Sequence, residues 1–245
     1  MGDRSPLTIL YRDEHLVAID KPPGLLVHRS NLDRHETRFA LQLLRDQLGQ
    51  RVFPIHRLDK PTSGVLLFAL SPEDARLLAQ QFEAHTVTKD YLGVVRGHCP
   101  PKGTVDNPIA DEPGTSANTT PRPARTAYRC LRHGEIEAQI DRYPTSRYSL
   151  VALQPVTGRR HQLRRHMKHI AHPIIGDTTY GKGTHNRFFR QAFACDRLLL
   201  ACVGVRVQHP RTGRVLQLHA HPGHAFERVA AAFQWSLPRS PWMAV

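Results

Sequence analysis

His56-Arg57-Leu58-Asp59-Lys60-Pro61-Thr62-Ser63-Gly64 places a carboxylate between two cations, on a Pro/Thr/Ser/Gly loop set between two apolar segments. Val52-Phe53-Pro54-Ile55 precedes it. Val65-Leu66-Leu67-Phe68-Ala69-Leu70 follows, a continuous apolar run of the length of a buried strand. The loop is thereby pinned at the edge of the core. A carboxylate held there beside Arg57 is partly stripped of water and kept ionised by its basic neighbour. That is the state a nucleophile or a general base needs. Taken alone, the residues fit a structural Asp in a turn or a surface ion pair equally well.

On the N-terminal side, Leu7–Tyr11 and His15–Ile19 flank Arg12-Asp13-Glu14 and read as a hairpin, closed by the turn residues Lys21-Pro22-Pro23-Gly24. Phe39, Leu43, Leu44 and Leu48 recur at helical spacing over 36–48, with Gly49 as the stop. On the C-terminal side, Ser71-Pro72-Glu73-Asp74 is an N-cap, a first-turn proline and two acids, ahead of a helix bearing Leu77, Leu78 and Phe82. Strands are predicted over 91–95, 126–130, 136–140, 148–153, 198–207 and 215–218, and helices over 161–170 and 225–233. Residues 99–125 form a Pro/Gly/Thr-rich excursion, read as a surface insertion or a domain separator. Many strands that do not alternate with helices predict an α+β fold with antiparallel pairing. The whole of 1–245 is read as one catalytic domain.

The chain carries 34 Lys+Arg against 21 Asp+Glu, a formal charge of +13. Residues 121–168 alone hold eleven Lys/Arg and three Asp/Glu. A field of that sign and density favours a polyanion, with nucleic acid first among them. The four cysteines form no C-x-x-C pair, which points to a reducing compartment. The first residues, M-G-D-R-S-P, lack an apolar signal core, and no run reaches the ~18 apolar residues of a membrane span. A cytoplasmic chain, monomeric and away from membranes, is the expectation.

Two further segments carry candidate chemistry. In Lys89-Asp90-Tyr91 a tyrosine opens a strand, where it either packs in the core or serves as a stacking surface and proton carrier. Thr157-Gly158-Arg159-Arg160-His161-Gln162-Leu163-Arg164-Arg165-His166 is a turn into a helix whose first turns are strongly basic. Like charges there repel one another and oppose the helix dipole, so a polyanion or a buried carboxylate is expected to compensate them. His161, His166, His169 and His172 lie close in sequence. No H-E-x-x-H and no nearby cysteine pair accompanies them, so no metal is expected, and the histidines are expected to touch phosphate or to pack. Walker, dinucleotide and G-x-S-x-G patterns are also absent from the sequence.

In order along the chain, L-V-A-I-D-K-P-P-G-L-L-V-H, H-R-L-D-K-P-T-S-G-V-L-L, K-D-Y and T-G-R-R-H-Q-L-R-R-H…H-P-I-I-G-D resemble the RluA-type pseudouridine synthases over nearly the full length. H-R-S-N-L-D-R (28–34), R-Y-P-T-S-R-Y (142–148) and G-R-R-H-Q-L-R-R-H are similar to the branch of that family that modifies uridine 65 in the T stem of tRNA. The resemblance implies the pseudouridine synthase fold, a mostly antiparallel mixed central sheet flanked by helices with the active-site cleft across it. It implies isomerisation of uridine in RNA by base flipping, with no cofactor and no metal. The substrate it implies is tRNA, with ribosomal RNA as the alternative. By the same resemblance Asp59 is the catalytic aspartate, Tyr91 the active-site tyrosine and Arg164 the arginine that pairs with the aspartate. Arg57 inserts when the base flips. Apart from the resemblance, the basic segment around Arg159–Lys168 is expected to clamp phosphates, and His56, Arg160, His161, Gln162 and Arg165 are the further substrate-binding candidates. Leu200 falls where the family has a leucine beneath the base, although Ala201-Cys202 departs from the usual His-Ala that follows. No S4-type RNA-binding domain is expected. A non-catalytic RNA-binding module and a metal-dependent nuclease are the rival classes.

Overall fold

All seven residues of strand β4 (Ser63–Ala69) are buried, because neighbours cover both of its faces. The computed structural model describes residues 6–29, 35–110, 120–238 and 241–242. Within them the chain forms two compact units. The first comprises the residues up to Lys89 together with Cys202–His221, and the second comprises Asp90–Ala201 with the residues from Pro222 onward. Strands come in groups of two or four between helices rather than alternating with them one for one, and pair antiparallel, which is the α+β class the sequence predicts.

In the first unit, β1 (Thr8–Arg12) and β2 (Leu16–Lys21) form the predicted hairpin, and β2 runs antiparallel to β4 with Lys21 opposite Gly64. The strand order continues to β9 (Leu200–Gln208), and β10 (Val215–His219) pairs antiparallel with β9. The two-residue β3 (Phe53–Pro54) pairs with the far end of β4. Helix α1 (Ala40–Leu48) ends at Gly49, whose φ of 66° is the left-handed stop that its glycine permits. Helix α2 (Pro72–Glu83) starts as its sequence dictates: Ser71 Oγ accepts from Asp74 N at 3.1 Å, with Pro72 in the first turn.

A polar network ties the β1–β2 turn to the loop after β9. The Asp13 carboxylate accepts hydrogen bonds from Tyr11 Oη (2.6 Å), from the backbone N–H groups of His15 (2.7 Å) and Leu16 (2.9 Å), and from His209 Nε2 (2.8 Å). Burial alone would raise its pKa, but these donors outweigh it and hold the group at about 2, against an ordinary 3.8. A depressed carboxylate stabilises the fold above its unfolded value and loses that contribution as pH falls through the folded one. The carboxylate stays partly in contact with solvent, which screens its interactions, so we expect Asp13→Asn to lower stability by about 1 kcal/mol at neutral pH. The gap from wild type should close between pH 4 and pH 2, which urea unfolding midpoints across that range will measure. A gap independent of pH would mean that the carboxylate's charge is not what the network uses.

In the second unit, the strand order is β5 (Thr88–Arg96), β8 (Ser146–Pro155), β7 (Arg125–Ile136) and β6 (Lys102–Asp106), with β8 central and antiparallel to both β5 and β7. β6 lies inside the stretch 99–125 read from sequence as irregular, and it pairs with β7 from Lys102↔Arg129 to Asp106↔Arg125. Residues 111–119 of that stretch lie outside the described residues. β7 is one continuous strand where two were expected. A register shift between Cys130 and Arg132 breaks its alternation, and 137–145 is a loop. Helices α3 (Gln162–His169), α4 (Gly183–Phe193) and α5 (His224–Ala232) complete the unit, and α4 was not foreseen. The core here is aromatic: Tyr148 packs edge-on against Phe189 (4.8 Å between centroids) and Phe233 (5.6 Å).

Candidate active site

The opening loop is held by backbone and by one buried lysine. Thr62 N donates to Asp59 O at 3.0 Å, which closes a tight turn over 59–62. Lys60 O accepts from Gly24 N at 2.8 Å and from Lys21 Nζ at 3.2 Å. Lys21 is fully buried, and its ammonium also donates to the carbonyls of Pro22 and Leu25, both at 2.8 Å. Carbonyl dipoles thus offset the cost of burying that charge. Lys21 joins the Lys21–Gly24 turn to the loop carrying Asp59, a role that nothing in the sequence spacing reveals. The Lys60 ammonium pairs with Glu36 at 2.8 Å. At the loop's far end Gly64 has a φ of 109°, and a Cβ there would sit 2.0 Å from the carbonyl oxygen of Cys202. Only glycine lets the strand after the loop approach β9 so closely.

His56 is built into this scaffold. Its Nε2 accepts from Leu67 N at 3.2 Å, the ring makes a backbone hydrogen bond to Arg57, and its face stacks on Phe82 with centroids 4.9 Å apart. Burial, with the Lys89 ammonium second, pushes its pKa down to about 3, so the ring is neutral. Its nitrogens are engaged by backbone, so His56 fixes the approach to Arg57 rather than presenting a charge to RNA. Arg57 is exposed, and its charge adds to burial in lowering the pKa of His28. Asp59 is half-buried.

The remaining candidates belong to the second unit. Tyr91 is buried on β5 opposite Leu153. Leu200 is buried as well. The segment 173–177 laces their surroundings together: Ile175 N donates to Val94 O (2.9 Å), Leu199 N to Ile175 O (2.9 Å), Val94 N to Leu199 O (3.1 Å) and Arg96 N to Pro173 O (3.0 Å). The same segment leads into Gly176-Asp177-Thr178-Thr179-Tyr180-Gly181, which holds Arg164. Arg164 is 4% exposed, and its Nε and Nη2 donate to Asp177 Oδ2 and Oδ1, each at 2.8 Å. Of the two compensators expected for this basic helix, a polyanion or a buried carboxylate, Asp177 is the second. Burial would raise the Asp177 pKa, but Arg164 and the backbone N–H groups of Tyr180 and Thr179 hold it below the usual carboxylate range.

Around Arg164 the basic helix is tied into its own unit more than the sequence implies. Gln162 uses both side-chain atoms twice. Oε1 accepts from Thr157 Oγ1 (2.7 Å) and Arg159 N (3.0 Å), while Nε2 donates to Arg125 O (2.9 Å) and Thr126 Oγ1 (3.0 Å). An amide has two acceptor and two donor positions, so Gln162 is saturated as a staple between helix and strand. Arg165 Nη1 donates to Ala110 O at 2.7 Å and Arg159 Nε to Pro123 O at 3.1 Å. His166 is fully buried between Thr126 Oγ1 (2.9 Å) and Asn107 O (3.0 Å). His161, with a φ of 53°, caps α3 and meets the Tyr180 hydroxyl through Nδ1 at 3.0 Å. Among the described residues no group of three or more His, Cys, Asp and Glu is placed to share a metal ion. No described helix is long and apolar enough to cross a membrane.

A family model, three named relatives and two solved structures resemble this chain. A family model described as RNA pseudouridylate synthase matches residues 15–169, more than half of the chain. A tRNA pseudouridine synthase C of Yersinia pestis is 50% identical over 236 residues, covering 94% of this chain and 92% of the relative. That of Haemophilus ducreyi is 50% identical over 236 residues, covering 94% and 96%. That of Pectobacterium carotovorum is 49% identical over 241 residues, and this chain spans 64% of its length. Among solved structures, human RNA pseudouridylate synthase domain containing 4 superposes with a TM-score of 0.70 at 25% identity, covering 94% of both chains. Human RNA pseudouridylate synthase domain containing 1 gives 0.71 at 23% identity, covering 96% of this chain and 98% of the other, which speaks to the fold alone.

Proposed function

The chain belongs to the RNA pseudouridylate synthase family, isomerases that turn uridine into pseudouridine, and we propose that its substrate is tRNA and its target uridine 65 of the T stem. The observation that carries the substrate is the half-identical match to relatives named tRNA pseudouridine synthase C over nearly their whole length. The reaction breaks the N1–C1′ bond of the nucleotide, turns the uracil and joins C5 to C1′; C5 gives up one proton and N1 takes up one, directly or by exchange with solvent. Atoms balance without an added reactant. The base has to leave its stack to be reached.

In this reading Asp59 opens the reaction, as nucleophile at C1′ or as base toward the C2′ proton. Arg57 takes the place of the flipped base in the stack. Tyr91 and Leu200 receive the freed uracil, and Arg164 is the counter-charge of the aspartate. Arg160, His161 and Arg165 serve phosphates, with a stem target read through its shape and 2′-hydroxyls. The enzyme acts in the cytoplasm as a monomer. Support comes from the residue-by-residue match of the motifs, from the exposure of Arg57 and from the built surroundings of Asp59 and Arg164.

The test is incubation of the purified protein with unmodified tRNA and with unmodified ribosomal RNA, followed by chemical mapping of pseudouridine. Modification of uridine 65 in tRNA is expected. Pseudouridine in ribosomal RNA alone, or at another tRNA position, overturns the substrate assignment.

A further inference from the structure

The 176–181 turn grips one arginine from two directions. Asp177 takes an edge of the Arg164 guanidinium by two parallel hydrogen bonds of 2.8 Å. Tyr180, three residues on, lays its ring against the same group, with Arg164 Cζ 5.0 Å from the ring centroid. Neither partner can drift. Asp177 Oδ1 also accepts from the backbone N–H groups of Thr179 and Tyr180, each at 2.9 Å. Asp177 O accepts from Asn186 Nδ2 at 2.8 Å, while Asn186 Oδ1 receives Gly176 N at 2.8 Å. Two glycines allow the turn to close this tightly. A Cβ at Gly176 (φ 80°) would lie 2.0 Å from Arg197 O, and one at Gly181 would lie 2.3 Å from Asp177 O. The Tyr180 hydroxyl is in turn fixed by His161 Nδ1 at 3.0 Å.

Guanidinium is planar and carries five N–H donors in a fixed fork. With Nε–H and one Nη2–H committed to Asp177, the donors of the other edge have a direction set by the turn and not by the flexible Arg164 side chain. We propose that Asp177 and Tyr180 are positioning residues for the isomerisation: together they aim Arg164, Asp177 by edge and Tyr180 by face. This rests on the reading of Arg164 as part of the reacting centre. A group held this way acts without reorganising during the reaction, and a displacement of about 1 Å costs on the order of 10²-fold in rate.

The experiment measures single-turnover pseudouridine formation on unmodified tRNA, and tRNA dissociation constants, for Asp177→Asn, Tyr180→Phe, Tyr180→Leu and Arg164→Met, well below each variant's melting temperature. Asp177→Asn should slow turnover about 10²-fold and Tyr180→Leu about 10-fold, with affinity unchanged within about 2-fold. Tyr180→Phe keeps the ring on the guanidinium and should restore turnover to within about 3-fold of wild type. If Asp177→Asn does not fold, the contrast between the two Tyr180 variants carries the test alone. Wild-type rates in both Asp177→Asn and Tyr180→Leu, with Arg164→Met slow, overturn the clamp and leave the role of Arg164 standing. A wild-type rate in Arg164→Met overturns that role and the clamp with it. Rate and affinity falling by the same factor would make these residues RNA contacts and reject positioning.

Discussion

Asp59→Asn is expected to lower single-turnover pseudouridine formation by more than about 10³-fold while leaving tRNA affinity within several-fold. The two side chains have the same shape. The amide lacks the charge that attack at C1′ or removal of the C2′ proton requires. The loop should survive the change, because the anchors described for it are backbone groups: Asp59 O receives Thr62 N, and Lys60 O receives Gly24 N and the Lys21 ammonium. Affinity should survive as well, since phosphate contacts from the basic surface dominate binding to RNA. Single-turnover assays with filter binding on the same preparation separate the two quantities. Residual turnover within tenfold of wild type would remove the carboxylate from the bond-breaking step.

Gly64→Ala should cost more than about 4 kcal/mol, a large part of the 5–15 kcal/mol that holds a typical domain together. Two causes act at once. A φ of 109° is one that L-residues rarely adopt, and the new Cβ would lie 2.0 Å from Cys202 O, 2.7 Å from its carbonyl carbon and 2.8 Å from its nitrogen. All three are backbone atoms of a fully buried residue, so no rotamer change relieves the overlap. Gly24→Ala is the natural control. It has a φ of 83° with nothing within 4 Å of the added atom, so only the conformational cost of about 1–2 kcal/mol should appear. Soluble yield and urea midpoints report both. Equal midpoints for the two variants would show that the contact with Cys202 contributes nothing beyond the unusual φ.

Where the chain announces its own structure, it does so by local chemistry. β4 is visible as an apolar run, α2 by Ser71 and Pro72, and the end of α1 by Gly49. Where the structure departs from expectation, the controlling interaction is not local. β6, Lys-Gly-Thr-Val-Asp, buries only Val105 and exists because β7 pairs with it. α4 starts at a glycine with no capping side chain and carries Arg and Asn among its apolar positions, so its His185–Phe189 stripe is too narrow to stand out. The continuity of β7 is hidden by its irregularity at Cys130–Arg132. The site divides the same way. The Asp59 loop is conspicuous as a motif, and a carboxylate partner for the basic helix could be anticipated from charge alone. Lys21, Asp177 and Tyr180 could not be singled out, because their work depends on carbonyls and a guanidinium that the folded chain delivers from elsewhere. Gln162, polar and next to arginines, looks like an RNA contact in sequence and is saturated within the protein.

The buried ammonium of Lys21 has a consequence for where a minimal enzyme could begin. It reaches Lys60 O across 39 residues of sequence, and Gly24 N reaches the same oxygen. The β1–β2 hairpin and its turn are therefore part of the mould in which the Asp59 loop is cast, although they contribute none of the side chains assigned to the reaction. A shortened chain starting after that turn would retain H-R-L-D-K-P-T-S-G letter for letter and lose the shape that gives those letters their chemistry.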